Sequence, residues 1–557
     1  MSPRRTAKQP GSDRTNRRRP GEPRELIIGL IAPIGVDRKP VETALRNQLR
    51  IVDYHVAPVK VSRKLEELAN DAIPGWNNGD ALVRKNILMN VGNNVREQHS
   101  EGGVLALLAM VQIASSRRAP LPKGSGRAYV IDSLKHPDEV ELLRSIYGPA
   151  FVAIAVFASS DARRKYLEDQ ARTLLHEPDS NNIYKLMERD EDENITLGQR
   201  VRAAFELADV VVDVSRGDTE HQIRRLVELL FGDLQKTPTI GEYAMSLARC
   251  AQGRSGSLAR QIGAAVIRDD GAIVSIGRND VAKPFGGQYE ARDDKDYPQG
   301  RDINRSIDSS DWFRQKAITD LLALLQYNGQ LNSTDSPEEL FQQWYIGEEG
   351  KPKPWLRSAF IANTIDYVRA VHAEMAAITD AARYGIDLSQ CSLYTTTFPC
   401  HDCAKHILAS GIREVVYWAA YPKSLVKDLY DDSICVNEAA PSTDKVSFHS
   451  FVGIAPNRYF DFFIMGKRER KDRKGHAIPF DARNAKLTLP PYAIPEEFAI
   501  YTENRRTTRF IEDFDRKIND LHLLISKRHQ EWEAAPATTH SAPNKRSRKK
   551  SSKRRKR

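Results

Sequence analysis

Continuous apolar runs of strand length recur through the first part of the chain, and segments with helical spacing lie between them. The first run is Glu25–Ile31, and a helical pattern follows it from Pro40 to Leu49. His136–Leu143 has a proline and acidic residues where the first turn of a helix favours them. Strands that are apolar throughout are typical of parallel sheets buried on both faces, so the alternation predicts a three-layer α/β domain. The remaining predicted strands of this domain are 127–133, 151–157 and 208–214.

A second set of elements begins near Thr239 and is interrupted by a long polar insertion. An amphipathic helix over 241–249 precedes two strands joined by Arg268–Gly271, which has the composition of a hairpin turn. The insertion covers about 285–366 and contains a helical pattern over 312–325. These boundaries predict two domains, 25–236 and 237–466. The other predicted elements of the second domain are strands 262–267, 273–277, 391–396 and 414–417, a helix 372–383 and a helix from Cys400.

Both ends of the chain are basic, so its positive net charge comes from the tails and not from the body of the protein. The 557 residues carry a formal net charge of +10; residues 1–24 contribute +6 and residues 534–557 contribute +10, which leaves −6 for the body. Segments this polar cannot bury enough apolar surface to fold, so both tails are predicted to be disordered. The segment 467–533 is predicted to be a charged linker and a helix, whose apolar positions over 508–530 pack on a domain or a second subunit.

The remaining composition favours a soluble protein of a reducing compartment. No apolar run is long enough to cross a bilayer and no secretory signal follows Met1, so we expect a cytoplasmic protein without membrane contact. Five cysteines are too few, and odd in number, for a disulfide framework. Cys250, Cys391 and Cys435 lack the spacing of metal ligands and are predicted to be small core residues.

The turn after the first strand has the context of a phosphate-binding loop without its consensus. Against G-x-x-x-x-G-K-[ST], alanine and aspartate stand at the two glycine positions, and Arg38-Lys39 stands where Lys-Ser/Thr is required. The sequence therefore favours a fold that kept this turn and lost its chemistry over a working kinase, and Gly29 and Gly35 are the candidate nucleotide contacts. The segment 161–164 either presents arginines to a phosphate or begins a solvated helix.

Two short motifs in the second domain have the spacing of a metal site. His372 is followed two residues later by Glu374, and Pro399 precedes Cys400 and Cys403. Both motifs open predicted helices, whose positive ends favour thiolates. Three protein ligands leave the fourth tetrahedral position of Zn²⁺ to water, which is the catalytic pattern. The arrangement H-x-E…P-C-x-x-C is the signature of zinc nucleobase deaminases, in which the glutamate, here Glu374, moves protons and does not bind the metal.

Each half of this pattern has a less specific interpretation. A single Cys-x-x-Cys could be a redox pair or half of a closed zinc knuckle, and most histidines are packed or exposed. Both motifs together, on two helices separated by a strand, are much rarer and favour one catalytic zinc. His401 and His406 are predicted to be surface or packing residues.

The residues around these motifs resemble a particular family of deaminases. Segments 393–407, 260–264 and 277–279 are similar to deoxycytidylate deaminases and differ from the Glu-Pro-Cys version of transfer-RNA adenosine deaminases. In the first domain, 131–140 and 143–148 resemble bacterial anti-phage deoxycytidylate (dCTP) deaminases, in which a P-loop kinase-like domain precedes the deaminase domain.

This resemblance covers about 25–466 and implies a fold and a substrate site for the second domain. It implies an α/β/α cytidine-deaminase-like domain with one Zn²⁺, assembly into a homo-oligomer, and substrate contacts at Asn279, Gln261 and Ala373. Lys423 lies in a family-like segment and is either a phosphate contact or an exposed lysine.

Three functions remain open at this point. One is a non-enzymatic nucleotide or RNA sensor, in which the first domain binds the signal and the deaminase domain is only an effector. The resemblance implies zinc-dependent hydrolytic deamination of free deoxycytidine nucleotides, dCTP or dCMP, to deoxyuridine nucleotides. This reaction would deplete dCTP in anti-phage defence, under the control of an RNA or nucleotide bound by the first domain. The alternative is deamination of cytosine in single-stranded DNA or RNA, recruited by nonspecific contacts of the basic tails. The tails contain no Phe, Tyr or Trp on which a base could stack.

Overall fold

The structure is a computed structural model that describes residues 25–534 except for 79, 123, 173–179, 194, 349–354, 365–366, 422–423, 438–443, 467 and 491–492. The predicted disordered tails, apart from Ala534, and Lys423 therefore lie outside the described residues. Two six-stranded sheets organise the described part of the chain. Among its helices, none combines the length and the apolar content that crossing a bilayer requires.

Five parallel strands form the body of the first sheet, and they lie in the order second, third, first, fourth, fifth. Alternate residues of the first strand face two separate cores, with Ile27 and Ile31 in one and Leu26 and Ile28 in the other. Such a strand cannot show polar alternation, because neither of its faces meets water. The strands are β1 (Glu25–Ile31), β2 (Tyr54–Val59), β3 (Gly126–Leu134), β4 (Phe151–Phe157) and β5 (Val210–Asp213).

Helices cover both faces of the first sheet. The first and last helices pack on one face and the second to fifth pack on the other, so this domain has the three layers that the alternating pattern predicts. The helices are α1 (Lys39–Ile51), α2 (Val61–Ala72), α3 (Ala81–His99), α4 (Val104–Ser116), α5 (Pro137–Tyr147), α6 (Ser160–Ala171), α7 (Ser180–Glu191), α8 (Val201–Glu206) and α9 (Thr219–Leu230).

The second sheet is mixed and is also covered on both faces. Its strands are β6 (Gly263–Arg268), β7 (Ile273–Arg278), β10 (Cys391–Thr397), β11 (Glu414–Ala419), β12 (Ile434–Val436) and β13 (Val446–Ser450), and a separate two-stranded ladder contains β8 (Asp280–Val281) and β9 (Ala370–Val371). The order is β12-β13-β11-β10-β6-β7, in which β6 is antiparallel to both neighbours and the other pairs are parallel.

Alternate residues of β6 face opposite sides of the second sheet, and different helices pack on each side. Ala264 and Val266 pack with the two helices that carry the metal motifs, whereas Ala265 and Ile267 pack with the helix that precedes β6. The result is an α/β/α arrangement. The helices of this domain are α10 (Ile240–Gln252), α11 (Asp302–Arg305), α12 (Ser309–Tyr327), α13 (Pro337–Phe341), α14 (Ala373–Arg383), α15 (His401–Ser410), α16 (Val426–Leu429) and α17 (Tyr459–Phe463). One further helix, α18 (Glu496–Ala534), follows it in the chain.

After β13 the chain returns to the first sheet. The short strand β14 (Gly453–Ile454) pairs antiparallel with β5, and Ala455 N donates to Asp209 O at 2.9 Å. Residues that follow the strands of the second sheet thus extend the sheet of the first domain. The two domains are joined by backbone hydrogen bonds as well as by the covalent chain.

The C-terminal helix α18 packs on the first domain. It contacts α2 to α5, and its Phe510, Phe514 and Leu521 belong to the first domain's core. Arg117 Nε donates to Glu25 Oε1 at 2.7 Å, and its Nη1 donates to Glu503 Oε1 of α18 at 2.9 Å. The predicted helix therefore packs back on a domain of its own chain.

Acidification is expected to loosen α18 through His99. The imidazole of His99 stacks on Phe514 with ring centroids 5.7 Å apart, and its Nδ1 lies 3.2 Å from Asp513 Oδ2. Burial lowers the pKa of His99 from 6.5 and Lys517 lowers it further, whereas Asp513 raises it. Because the unfolded state then binds the proton more readily, this contribution to stability is complete above about pH 6.5 and is lost as the pH falls below that value. We expect proteolysis of α18 to be faster at about pH 5.5 than at about pH 7.5.

The variant His99→Gln is the control, because it keeps a polar side chain that does not titrate in this range. The pH difference in cleavage rate should shrink in this variant. An unchanged difference would assign the pH response to another group.

Candidate active site

Two helices begin near the carboxyl end of β10, and the N-cap of each is a predicted metal ligand. His372 is the N-cap of α14, and Cys400 is the N-cap of α15. Cys400 Sγ accepts a hydrogen bond from Cys403 N at 3.4 Å, so the sulfur itself caps the helix. The positive ends of both helices favour negative charge on the sulfur atoms.

The three donor atoms lie at distances that suit one zinc ion. Nδ1 of His372 is 3.4 Å from Sγ of Cys400 and 3.4 Å from Sγ of Cys403, and all three donors lie within 4.8 Å of one another. A nitrogen at about 2.1 Å and a sulfur at about 2.3 Å from a tetrahedral zinc are separated by roughly 3.6 Å. One imidazole and two thiols also form a donor set that zinc prefers. Within the described residues the group has three members, so a tetrahedral ion there would keep one position for water.

The charges of this group stabilise a thiolate. Hydrogen bonds from Cys403 and His372 lower the pKa of Cys400 to about 4, although burial opposes the shift. Burial alone would lower the pKa of His372, but its hydrogen bond to Cys400 and the nearby negative charges raise that pKa to about 9. The thiolate is the form of cysteine that binds Zn²⁺, so the direction of this shift favours metal binding by Cys400.

Glu374 lies beside the donors and is almost fully buried. Its carboxyl group is in the first turn of α14, is 2% exposed, and accepts a hydrogen bond from Cys403 Sγ at 3.5 Å. Burial raises the pKa of Glu374, and the charge of Cys400 raises it further. This carboxyl group therefore holds a proton more readily than a solvated glutamate, which suits a group that takes up and releases protons.

Two of the predicted substrate contacts organise a neighbouring loop. Asn279 directly follows β7, and its Oδ1 accepts hydrogen bonds from Ile262 N at 2.6 Å and Ser255 Oγ at 2.8 Å. Its Nδ2 donates to Arg260 O, and Gln261 Nε2 donates to Ser255 O at 2.8 Å. Asn279 and Gln261 thus bind the loop that leads into β6. Their contact with a substrate stays a prediction.

The β8–β9 ladder brings Asn279 close to the metal group. Asp280 pairs with Val371, so the residue after Asn279 lies opposite the residue before His372. The long insertion leaves the fold at β8 and returns at β9. Its described helices share a small core of their own, formed by Ile318, Leu322, Leu340, Phe341 and Ala362.

The position of α14 depends on Gly277, which lies in the family-like segment 277–279 but had no predicted role of its own. A Cβ on Gly277 would lie 2.0 Å from Ala373 O and 2.6 Å from Ala377 N. The first turn of α14 therefore lies directly on the backbone of β7. Ala373, the third predicted substrate contact, is fully buried at this junction. A glycine inside a strand can indicate such a close approach, but only the structure identifies the partner.

The loop after β1 is closed by side chains of the first domain. Ile34 N donates to Asp190 Oδ2 at 2.7 Å, and Lys135 Nζ donates to Asp190 Oδ1 and to Ala32 O, both at 2.8 Å. Arg163 Nε donates to Ile34 O at 2.9 Å. A carboxylate of the protein thus accepts from a loop N–H that a phosphate-binding loop would present to its ligand.

The two glycines predicted to contact a nucleotide occupy tightly packed positions. Gly29 lies inside β1, where a Cβ would be 2.5 Å from Leu134 Cδ1. Gly35 has a φ of +87°, and a Cβ there would lie 2.6 Å from Arg163 O. Packing and backbone conformation account for both glycines, and their nucleotide role stays a prediction.

Two sequence predictions about single side chains are wrong. The segment 161–164 does begin a helix, α6, but Arg163 within it is not solvated, because it is 5% exposed and its guanidinium binds Ile34 O and Glu191. The alternative, that arginines of this segment face a phosphate, stays a prediction. Cys391 and Cys435 are buried as predicted, but Cys250 is exposed because α10 buries the opposite stripe of its surface.

Comparison with known proteins agrees with the geometry of the second domain. Residues 238–419 match the family described as "Cytidine and deoxycytidylate deaminase zinc-binding region", and this range contains all three donors and Glu374. The match begins after the first domain, which it leaves unassigned. A solved structure of the dCMP deaminase from the cyanophage S-TIM5, in complex with dCMP and dUMP, covers 39% of this chain and 99% of its own. It has 17% sequence identity and a TM-score of 0.21.

Curated relatives of this chain are named deoxycytidylate deaminases. The deoxycytidylate deaminase of Pongo abelii is 31% identical over 132 residues, which are 22% of this chain and 68% of the relative. The human deoxycytidylate deaminase is 35% identical over 95 residues, 16% of this chain and 48% of the relative. That of Enterobacteria phage T4 is 45% identical over 62 residues, 11% of this chain and 31% of the relative. The chain therefore belongs to the family of cytidine and deoxycytidylate deaminases.

Proposed function

We propose that this protein hydrolytically deaminates free deoxycytidine nucleotides to deoxyuridine nucleotides and ammonia. The observation that carries the proposal is the group of His372, Cys400 and Cys403 beside the buried Glu374. The names of the relatives support deoxycytidylate, dCMP, as a substrate. The wider resemblance of the sequence supports dCTP as a second substrate and a role in anti-phage defence.

The chain's own residues suit the proton transfers that this reaction needs. Zinc held by His372, Cys400 and Cys403 would supply a water whose pKa is lowered to about 7. Overall, the water oxygen forms a bond to C4 of cytosine, the bond from C4 to the amino nitrogen breaks, and ammonia leaves. One proton of the water ends on N3 of the ring and the other on ammonia. Glu374 would carry both, because it is buried beside the donors and its pKa is raised.

Asn279 would orient the nucleotide. Its Oδ1 already accepts two hydrogen bonds, and its Nδ2 donates one to Arg260 O. An amide nitrogen carries two N–H groups, so one of them remains for a substrate oxygen. The fixed loop geometry would hold this N–H in place before the nucleotide arrives, which reduces the entropy lost on binding.

The proposal extends to control by the first domain. The contacts of β14 with β5 place a continuation of the deaminase domain in the sheet of the first domain. A conformational change at the loop after β1 would therefore be transmitted to the deaminase domain through the contacts between the two domains. A nucleotide or RNA regulator and a homo-oligomeric cytoplasmic form belong to the same proposal.

Ammonia release from dCMP and from dCTP is the direct test. We expect the zinc-loaded full chain to turn over at least one of the two, and expect chelator-treated protein to be inactive until Zn²⁺ is restored. No ammonia from either nucleotide at full zinc occupancy would reject the proposal. Release from a single-stranded oligonucleotide alone would favour a nucleic-acid substrate instead.

A further inference from the structure

A cavity of about 330 Å³ lies at the junction of the two domains. The first domain contributes Pro33 of the closed loop and Arg163 of α6, and the second contributes Phe398, which precedes Pro399 and Cys400. None of the residues proposed above as metal ligands, proton carrier or substrate contacts is among the described residues that line it. The cavity is therefore distinct from the proposed deaminase site, although it lies beside it.

The walls of this cavity are rich in aromatic side chains. Phe205 of α8 contributes from the first domain, and Tyr417, Trp418 and Tyr421 contribute from the second. Aromatic rings stack on planar groups such as nucleobases. The volume is at the lower end of the range for sites that bind small molecules, which is about 300–1,000 Å³. The walls and the volume together fit a small planar ring.

One nitrogen of a buried arginine in the wall lacks a hydrogen-bond acceptor. Arg163 is 5% exposed, and it donates from Nε to Ile34 O at 2.9 Å and from Nη1 to Glu191 Oε1 at 2.7 Å. Its Nη2 is buried and has no partner among the described residues. A buried N–H without an acceptor is costly, so it points to an acceptor that a ligand would supply.

The charges around Arg163 favour an anionic acceptor. Arg202 also lines the cavity, and its Nη2 lies 3.1 Å from Oε2 of the same Glu191, while its Nη1 lies 3.7 Å from Asp192 Oδ2. Two guanidinium groups thus share one carboxylate. The charged lining residues comprise three cations and two carboxylates, Arg163, Arg202, Lys427, Glu191 and Glu206. Guanidinium groups bind phosphate through charge-assisted hydrogen bonds.

We propose that this cavity binds a nucleoside monophosphate between the two domains. The ring lies among the aromatic walls, and the phosphate accepts hydrogen bonds from Arg163. Such a ligand contacts the loop after β1 on one side. On the other side it contacts Ser424, whose Oγ donates to Pro399 O at 2.8 Å next to a zinc ligand. The ligand thus connects the first domain to the start of α15.

Direct binding to the full chain tests this proposal without reference to deaminase activity. Isothermal titration with AMP, GMP and dTMP is expected to show at least one of them binding with a Kd below about 1 mM. The same nucleotide should raise the melting temperature, because it binds the folded state. Inorganic phosphate is expected to bind at least about tenfold more weakly, since it lacks the ring.

The variant Ser160→Trp places a large side chain at an exposed residue of the cavity wall. It is expected to weaken the nucleotide by at least about tenfold. The matched control is Ser145→Trp, an exposed serine of α5 that does not line the cavity, and it should bind like the wild type. Arg202→Gln is a second variant that removes charge without adding bulk, and it should also weaken binding.

Three results would overturn the proposal. One is no binding of AMP, GMP or dTMP up to about 1 mM. Another is binding that neither Ser160→Trp nor Arg202→Gln weakens. The third is inorganic phosphate binding as tightly as the best nucleotide, which would leave the aromatic walls without a role.

Discussion

Glu374→Gln is expected to abolish most deamination while leaving zinc in place. Glutamine keeps the volume of the side chain at a position that is 2% exposed, but it cannot take up and release a proton. General acid–base groups contribute about 10²–10⁴-fold to a rate, so kcat should fall by at least about 100-fold. The metal should remain because the three donors, His372, Cys400 and Cys403, are unchanged.

Two measurements on the same preparation separate these effects. Ammonia release from dCMP reports turnover, and atomic absorption reports zinc per chain. Glu67→Gln, an exposed glutamate of α2, is the matched control and should change neither quantity. Turnover retained in Glu374→Gln would refute the proton-carrying role. Loss of zinc together with turnover would instead place Glu374 among the groups that hold the metal.

Gly277→Ala is expected to disrupt the metal group, although this residue is not among the donors. The new methyl group would lie 2.0 Å from Ala373 O and 2.6 Å from Ala377 N, both backbone atoms of α14. The helix has to shift, and His372 and Glu374 flank Ala373 and must move with it. Overpacking of this kind costs about 1–3 kcal/mol of stability. We expect zinc content to fall well below one per chain and the melting temperature to drop.

Gly253→Ala is the matched control for this substitution. Gly253 follows α10 with an ordinary φ of −63°, and a Cβ on it would lie 3.5 Å from Cys250 O, which is an ordinary contact distance. This variant should bind zinc and melt like the wild type. If Gly277→Ala also kept its zinc and its melting temperature, close packing of α14 on β7 would not be what positions the site.

The metal group was predictable because its chemistry is recorded in short spacings. Cys400 and Cys403 lie within one turn of a helix, and His372 and Glu374 lie at the start of another, so local geometry constrains each pair. The requirement for three N and S ligands then predicts that the two pairs meet, and the distances of 3.4 Å from His372 Nδ1 to both sulfur atoms agree. Asn279 could be associated with this group only through resemblance, because the β8–β9 ladder joins it to His372 across the insertion.

The loop after β1 shows the limit of such reasoning. Its degenerate sequence predicted a weakened phosphate site, and its composition carried no information about what replaces the phosphate. The replacement is the carboxylate of Asp190, which comes from α7 and accepts from Ile34 N. Arg163 is also buried against this loop, because it donates to Ile34 O, which is far away in the sequence. The residues next to Arg163 in the chain therefore gave a misleading prediction that it is solvated.

Local patterns in the sequence were enough to predict β1, β3, β4 and β5, the two helices α14 and α15, the residue types that bind zinc and the glutamate beside them, but they did not predict β2 or α2 to α4. These features depend on neighbours within a few residues, where covalent geometry limits the possible arrangements. The tertiary structure alone decided that β14 joins the first sheet, that Gly277 supports α14, and that Arg163 faces a cavity between the domains. Each of these contacts joins residues far apart in the chain. Their positions follow from the packing of whole layers, because a close-packed interior fixes distant side chains only when all of its elements are in place.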